Sequence, residues 1–344
     1  MENTITVIDD AVFLEHQARG EHPERPERLL AAQAALAKAT LTARPVRLPP
    51  RDATEDELER VHSLRYIDAF SQVAGKHGYF DADTFFSPGS HRAALRAAGG
   101  AVALVDSLLD HRARFGVALV RPPGHHARPD AAMGFCLLNN VAIAAAHARA
   151  QGAERVAIVD FDVHHGNGTQ EIFYEDPSVL YISSHQFPFY PGTGAASEQG
   201  AGAGTGATLN VPLSEGADDE VYAAAYDRIV APVLAEFDPD ILLISAGFDA
   251  HRRDPLASMR LTESGYGRIT GALAAALPRG AAGRIGVVLE GGYDLTGLET
   301  SLRATLEALD APSPGAAKPG PLPPGFDDEL ASVLTKARRH HPNL

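Results

Sequence analysis

Asp162 and His164 stand two residues apart where the apolar run "RVAIVDFDVHHGNG" turns polar, and Asp249 ends a second such run, "DILLISAGFD". On an extended strand, side chains two apart point the same way with Cα atoms about 6.6 Å apart, near enough for a carboxylate and an imidazole to share an ion. That alternation puts Asp160, Asp162 and His164 on one face and Phe161, Val163 and His165 on the other. A lone D-x-H serves equally well as a hydrogen-bonded pair capping a strand. Asp249 shifts the balance, because two buried carboxylates converging from separate strands require a cation or a proton. Three protein ligands with an open fourth position form a catalytic rather than a structural zinc site. Water activated there needs a base, and "RPPGHHA" supplies His125 and His126 on a loop shaped by two prolines and Gly124. The adjacent His340 and His341 in the polar tail read instead as a surface pair.

These residues need a frame that brings distant segments together. Short β-branched runs at 5–9, 116–122, 155–162, 178–184, 207–213, 240–249 and 284–292 alternate with helical stretches such as 88–113 and 218–237. This order predicts an α/β fold with a mostly parallel sheet, in which ligands bind at the carboxyl ends of strands. Four polar clusters fall at such ends: "RPPGHHA", "DFDVHHGNG", "GFDAHRRD" and "LEGGYDL". No composition break interrupts residues 1–310, which read as one domain. A Pro- and Gly-rich connector at 311–325 then leads to a last helix within 326–344, packed on the same domain.

The bulk properties narrow the partners. With 30 Lys and Arg against 44 Asp and Glu, the net charge of -14 argues against nucleic acid and anionic membranes, and is compatible with cationic substrates. The single cysteine, Cys136, allows no internal disulfide. No basic stretch followed by a long apolar run opens the chain, and no membrane-length apolar window occurs, so a soluble cytoplasmic protein is expected. "GAGAGTG" (200–206) precedes a strand instead of joining strand to helix, which fails the geometry of a nucleotide-binding loop. Oligomeric state is not encoded legibly, and a homo-oligomer is compatible with everything above.

"HPERPERL", "RPPGHHA", "GFCLLNN", "DFDVHHGNGTQ", "PGTG", "AGFDAH" and "LEGGY" occur in the order and at about the separations of the zinc-dependent histone deacetylase superfamily. That superfamily includes bacterial acetylpolyamine amidohydrolases and acetoin-utilisation proteins, and the likeness spans roughly residues 15–310. The "EGGY" form and Asn167 are more similar to class II than class I members. The resemblance implies an arginase/deacetylase-type three-layer α/β/α fold. It makes Asp162, His164 and Asp249 the zinc ligands, in agreement with the spacing, although Fe²⁺, Co²⁺ or Mn²⁺ would suit the same donors. His126 becomes general base and then acid, His125 a mainly electrostatic imidazole, and Tyr293 the donor to the oxyanion. Asp160 would orient His125 and, with Ser183, border a site for K⁺ or Na⁺. Asn167 would orient His126 without adding charge.

For the substrate, the resemblance places Gly134, Phe135 and Tyr190 along a narrow tunnel. Asp83 stands where a rim acid could hold a peptide backbone, and could equally be a solvated loop carboxylate. Leu256 occupies the position where polyamine-selective members carry glutamate, which favours acylated lysine over acetylated polyamine. The implied reaction is removal of acetyl or related acyl groups from lysine-like primary amines by metal-activated water, with acetylpolyamine deacetylation as the alternative. An arginase-type ureohydrolase would need a second aspartate two positions after Asp249, where His251 stands. A non-catalytic acyl-lysine sensor on the same fold would not need the full set of histidines and tyrosine.

Overall fold

The computed structural model describes residues 3–277, 284–311 and 328–341. Among the described residues ten strands form: β1 Thr4–Ile8, β2 Arg44–Leu48, β3 Gly78–Tyr79, β4 Phe85–Phe86, β5 Gly116–Ala118, β6 Val156–Asp160, β7 Val179–Gln186, β8 Thr208–Leu213, β9 Ile241–Ala246 and β10 Ile285–Leu289. Eight make one sheet in the order β2-β1-β5-β10-β9-β6-β7-β8, and every pairing in it is parallel. β3 and β4 form a separate antiparallel hairpin. β6, β9 and β10 are buried along their whole length and apolar apart from Asp160 and Ser245, as strands covered on both faces must be. The flanking helices form two groups that pack among themselves: Ser90–Leu109 with Asn140–Ala150, and Glu27–Lys38, Leu295–Asp310, Glu263–Ala276 and Asp219–Ala225. The architecture is the three-layer α/β/α fold expected of the arginase/deacetylase type.

Sheet order is what assembles the site. The four clusters read from the sequence follow β5, β10, β9 and β6, which are consecutive neighbours in the sheet. Register brings their ends level, with Asp160 opposite Ser245 and Leu289 opposite Ala246.

Several boundaries differ from the sequence expectation. β6 stops at Asp160, so Asp162 and His164 lie on the bend that follows and not on the strand. β5, β9 and β10 likewise end before their polar residues, whose side chains seek one another instead of the ladder. β2, "RPVRL", is absent from the sequence reading because an edge strand tolerates proline and exposes its arginines, which erases the apolar run. The expected helix at 218–237 contains a wider turn at Tyr226–Val230, next to Pro232, which has no N–H to continue the ladder. The last helix covers Asp328–Ala337, and its Leu330, Val333 and Ala337 are buried in the main core. Residues 312–325 of the expected connector lie outside the described residues. Among the described residues no helix is long and apolar enough to cross a membrane.

Candidate active site

The loop after β5 carries the histidine pair, and the fold fixes it from three sides. Asn139 caps the helix Asn140–Ala150, its Oδ1 accepting from Ala142 N, while its Nδ2 donates to Ala127 O directly after the pair. Glu290, at the end of β10, accepts through Oε2 from the backbone N–H groups of Gly124 (2.6 Å) and His125 (3.1 Å). Its other oxygen accepts from Ser245 Oγ at 2.9 Å. Thus β9 and β10 both hold the loop that grows out of β5.

His125 Nδ1 donates to Asp160 Oδ2 at 3.0 Å, and Tyr181 Oη donates to the same oxygen at 3.1 Å. His126 Nδ1 lies 2.8 Å from Asn167 Oδ1, whose amide nitrogen points to Met133 Sδ. Asn167 therefore accepts, His126 carries its proton on Nδ1, and Nε2 is left with a free lone pair. Burial disfavours the charged form of both imidazoles, but Asp162 and Asp160 outweigh it at His125 and push it up to about 10. At His126, burial is reinforced by positive charge on His125 and His164, which holds it well below the ordinary histidine value. One imidazolium and one neutral base stand side by side, with ring centroids 4.0 Å apart.

Asp162, His164 and Asp249 converge with donor atoms within 4.8 Å of one another. His164 Nδ1 sits 3.2 Å from Asp162 Oδ1 and 3.1 Å from Asp249 Oδ2, and both carboxylates are buried. Burial and the negative charge of Asp162 push Asp249 up to about 7. At His164 the two carboxylates overcome burial and raise it to about 10. A site that holds a proton where three donors meet is one that a divalent cation would enter by displacing it. The backbone gives way around the carboxylates: a Cβ on Gly247 would lie 2.0 Å from Asp162 Oδ2, and one on Gly291 2.3 Å from Asp249 Oδ2. The residues present thus fit a divalent metal. A second group, His125, Cys136 and Glu290, also lies close together, but both Glu290 oxygens and the Cys136 thiol are already engaged in hydrogen bonds.

Above these donors opens a cavity of about 220 Å³ lined by Asp83, His126, Gly134, Phe135, His164, Phe189, Tyr190, Leu256 and Tyr293. All five residues assigned from the sequence to substrate contact line it. Asp83, in the β3–β4 turn, stands exposed at its rim. Phe135 adopts φ +68° and Gly134 +55°, an uncommon backbone for phenylalanine, supported by a bond from Phe135 N to Thr84 Oγ1. A Cβ on Gly134 would strike His126 at 2.5 Å, so glycine lets this wall close on the imidazole. Tyr293 is 8% exposed; its ring meets Phe135 edge-on and lies 5.0 Å under the Arg28 guanidinium. Ser183 is not in the cavity. It faces Asp160 across β6 and β7, and its hydroxyl bonds His185 Nδ1.

Sequence reasoning passed over four contributors. Phe189 stacks on His164 with centroids 5.6 Å apart, and only its place beside Tyr190 hinted at this. Asp254 accepts from the backbone N–H of Tyr293 (2.6 Å) and Leu256 (3.0 Å), tying the two loops together. Glu290, a charge at the end of an apolar run, was visible but unassigned. Arg28, within "HPERPERL", donates Nε to Gly292 O at 2.6 Å and is itself held by the buried Glu24, which Arg121 grips with two nitrogens.

The family described as histone deacetylase domain matches residues 22–309. The chain is 46% identical to histone deacetylase 15 of Arabidopsis thaliana over 85% of this chain and 53% of that protein. It is 41% identical to the histone deacetylase-like amidohydrolase of Pseudomonas aeruginosa, over 82% and 75%. It is 42% identical to the human polyamine deacetylase HDAC10, over 88% and 46%. The chain therefore spans about half the length of the plant and human relatives. The crystal structure of the HDA15 HD domain superposes with a TM-score of 0.90 at 42% identity, covering 99% of this chain and 96% of that one.

Proposed function

The chain belongs to the histone deacetylase family, and from that premise we propose that it hydrolyses the amide of an acylated, lysine-like primary amine. The observation that carries the reading is the convergence of Asp162, His164 and Asp249 beneath a narrow cavity whose walls also present His126 and Tyr293. Asp162, His164 and Asp249 would hold Zn²⁺, which when bound polarises the amide carbonyl and the attacking water.

The remaining chemistry belongs to side chains. His126 Nε2, unprotonated because Nδ1–H is given to Asn167, takes a proton from the attacking water as it adds to the carbonyl carbon. Tyr293, kept protonated by burial and by the negative charges of Asp249 and Asp162 against the pull of Arg28, donates its hydroxyl to the developing oxyanion. The His126 imidazolium then returns the proton to the departing nitrogen, and the C–N bond breaks. His125 stays cationic beside Asp160 and offsets the charge of the carboxylates below. K⁺ or Na⁺ beside Asp160 and Ser183 would neutralise that carboxylate further.

Phe135, Phe189 and Tyr190 suit the methylene stem of an acyl-lysine. Leu256 at the mouth offers no partner to a distal ammonium, which supports acylated lysine peptides over acetylated polyamines. A panel of acetyl-lysine peptides, longer acyl-lysines, acetylputrescine and acetylspermidine, compared by kcat/KM, tests this. Peptides should lead; a lead for the polyamines would establish the alternative.

A further inference from the structure

The motif "DVHHGNG" contains a second histidine that the chemistry above does not use. His165 is fully buried and points away from His164, into a polar network under the loop that follows β7. That loop carries Phe189 and Tyr190, two walls of the cavity. His165 Nδ1 meets Thr193 Oγ1 at 2.7 Å, and Nε2 meets Gln170 Oε1 at 3.0 Å. Because Gln170 gives its amide nitrogen to Glu198 and Asn210 donates to Gln170 Oε1, that oxygen can only accept. His165 is therefore protonated on Nε2 and its Nδ1 receives the hydroxyl of Thr193. Thr193 is exposed on its outer side but turns this hydroxyl inward.

One step along the loop, His185 repeats the arrangement. Its Nε2 donates to Gly194 O at 2.9 Å, and its Nδ1 receives Ser183 Oγ. The two rings lie 4.8 Å apart, and the loop backbone rests on both: a Cβ on Gly194, at φ +92°, would lie 2.4 Å from His185 Nε2 and 2.7 Å from His165 Cγ. Glu198 closes the loop by accepting from the N–H groups of Gly194 and Ala195. Consecutive residues thus serve two purposes: His164 joins Asp162 and Asp249 at the metal site and stacks on Phe189, while His165 anchors the far end of the same loop.

We propose that His165, paired with His185, is a positioning residue that locks the Phe189–Gly194 loop to the strand end bearing the metal ligands, and so sets how tightly the acyl substrate is seated. The inference rests on the deacetylase reading for its effect on substrate, but not for its effect on the loop. It predicts an influence on KM with chemistry spared, since none of these groups reaches the reacting atoms.

The test compares Thr193→Val, which keeps shape and loses the hydroxyl, with Thr193→Ser, which keeps the hydroxyl, and with Gly194→Ala. Steady-state kinetics on an acetyl-lysine peptide, bound metal per chain and amide hydrogen exchange across residues 187–195 are measured for each. Thr193→Val should raise KM roughly tenfold, the expected consequence of leaving one buried acceptor unpaired, with kcat within about twofold and metal content unchanged. Gly194→Ala should raise KM further, both variants should exchange faster across the loop, and Thr193→Ser should match the parent. Equal behaviour of the valine and serine variants, loss of kcat at constant KM, or unchanged exchange would overturn the proposal. A parent protein inert to every acyl amine would instead refute the deacetylase reading, while the exchange comparison would still decide whether the lock exists.

Discussion

Replacing Tyr293 by phenylalanine isolates a single oxygen atom. The ring is held by contacts that survive the change: the edge of Phe135 at 5.9 Å, the Arg28 guanidinium at 5.0 Å, and the backbone bond from Tyr293 N to Asp254. Among the described residues the Tyr293 hydroxyl makes no hydrogen bond, so its removal leaves no buried partner unsatisfied and should not alter folding. Under the proposed mechanism, what disappears is a donor aimed at charge that exists only in the transition state. Deleting one such donor costs about 100- to 1000-fold in kcat, or about 2.7–4 kcal/mol. The neutral amide before attack gains little from that bond, so KM should stay within about threefold. Measuring kcat and KM on an acetyl-lysine peptide, with metal content and thermal midpoint as controls, decides the matter. A kcat within about threefold of the parent, or a loss confined to KM, would refute the assignment of Tyr293 to the oxyanion.

Three further expectations follow from the geometry. Asn167→Asp places a carboxylate where an amide oxygen now accepts from His126; because His126 must be neutral to take a proton, its higher pKa should move the acidic limb of the kcat/KM profile to higher pH. A superimposable profile would remove Asn167 as the partner of the base. Glu24→Gln leaves the buried Arg28 and Arg121 without their carboxylate, which should cost about 3–5 kcal/mol in urea unfolding. Burial raises the Glu24 carboxyl, but Arg121 and His16 hold it well below 4.5, so its contribution is complete above that pH and is lost on acidification. The parent should therefore lose stability more steeply than the variant as the pH falls below 4.5; parallel curves would count against the pairing. Leu256→Glu should improve acetylspermidine relative to acetyl-lysine peptide by up to about fivefold, the worth of one half-exposed ion pair, and an unchanged ratio would show that this position does not select the amine.

The convergence of Asp162, His164 and Asp249 was legible in the sequence because a carboxylate and an imidazole two apart at the end of an apolar run, joined by a second such carboxylate, have few inexpensive explanations. The adjacency of β5, β10, β9 and β6 was not legible from the residues alone. It depends on crossover connections whose end points leave no trace in local pattern. Strand ends were overextended for a related reason: Asp162 and Asp249 follow their strands without a break in the sequence, yet their carboxylates are satisfied by His164 and by backbone N–H groups of facing loops. Asp254 and Glu290 escaped assignment because each acts on backbone N–H groups, which carry no side-chain signature. Strand alternation turned His165 away from Asp162 and His164 but gave it no role; its partners, Thr193 and Gln170, are brought to it only by the fold.

The most direct measurement strips the protein of metal with a chelator and follows hydrolysis of an acetyl-lysine peptide as Zn²⁺ is added back. With Asp162, His164 and Asp249 as one site, the stripped protein should be inactive, and activity should rise in proportion to metal and level at one ion per chain. Full turnover without metal, or a plateau at two ions per chain, would contradict a single metal centre as the source of catalysis.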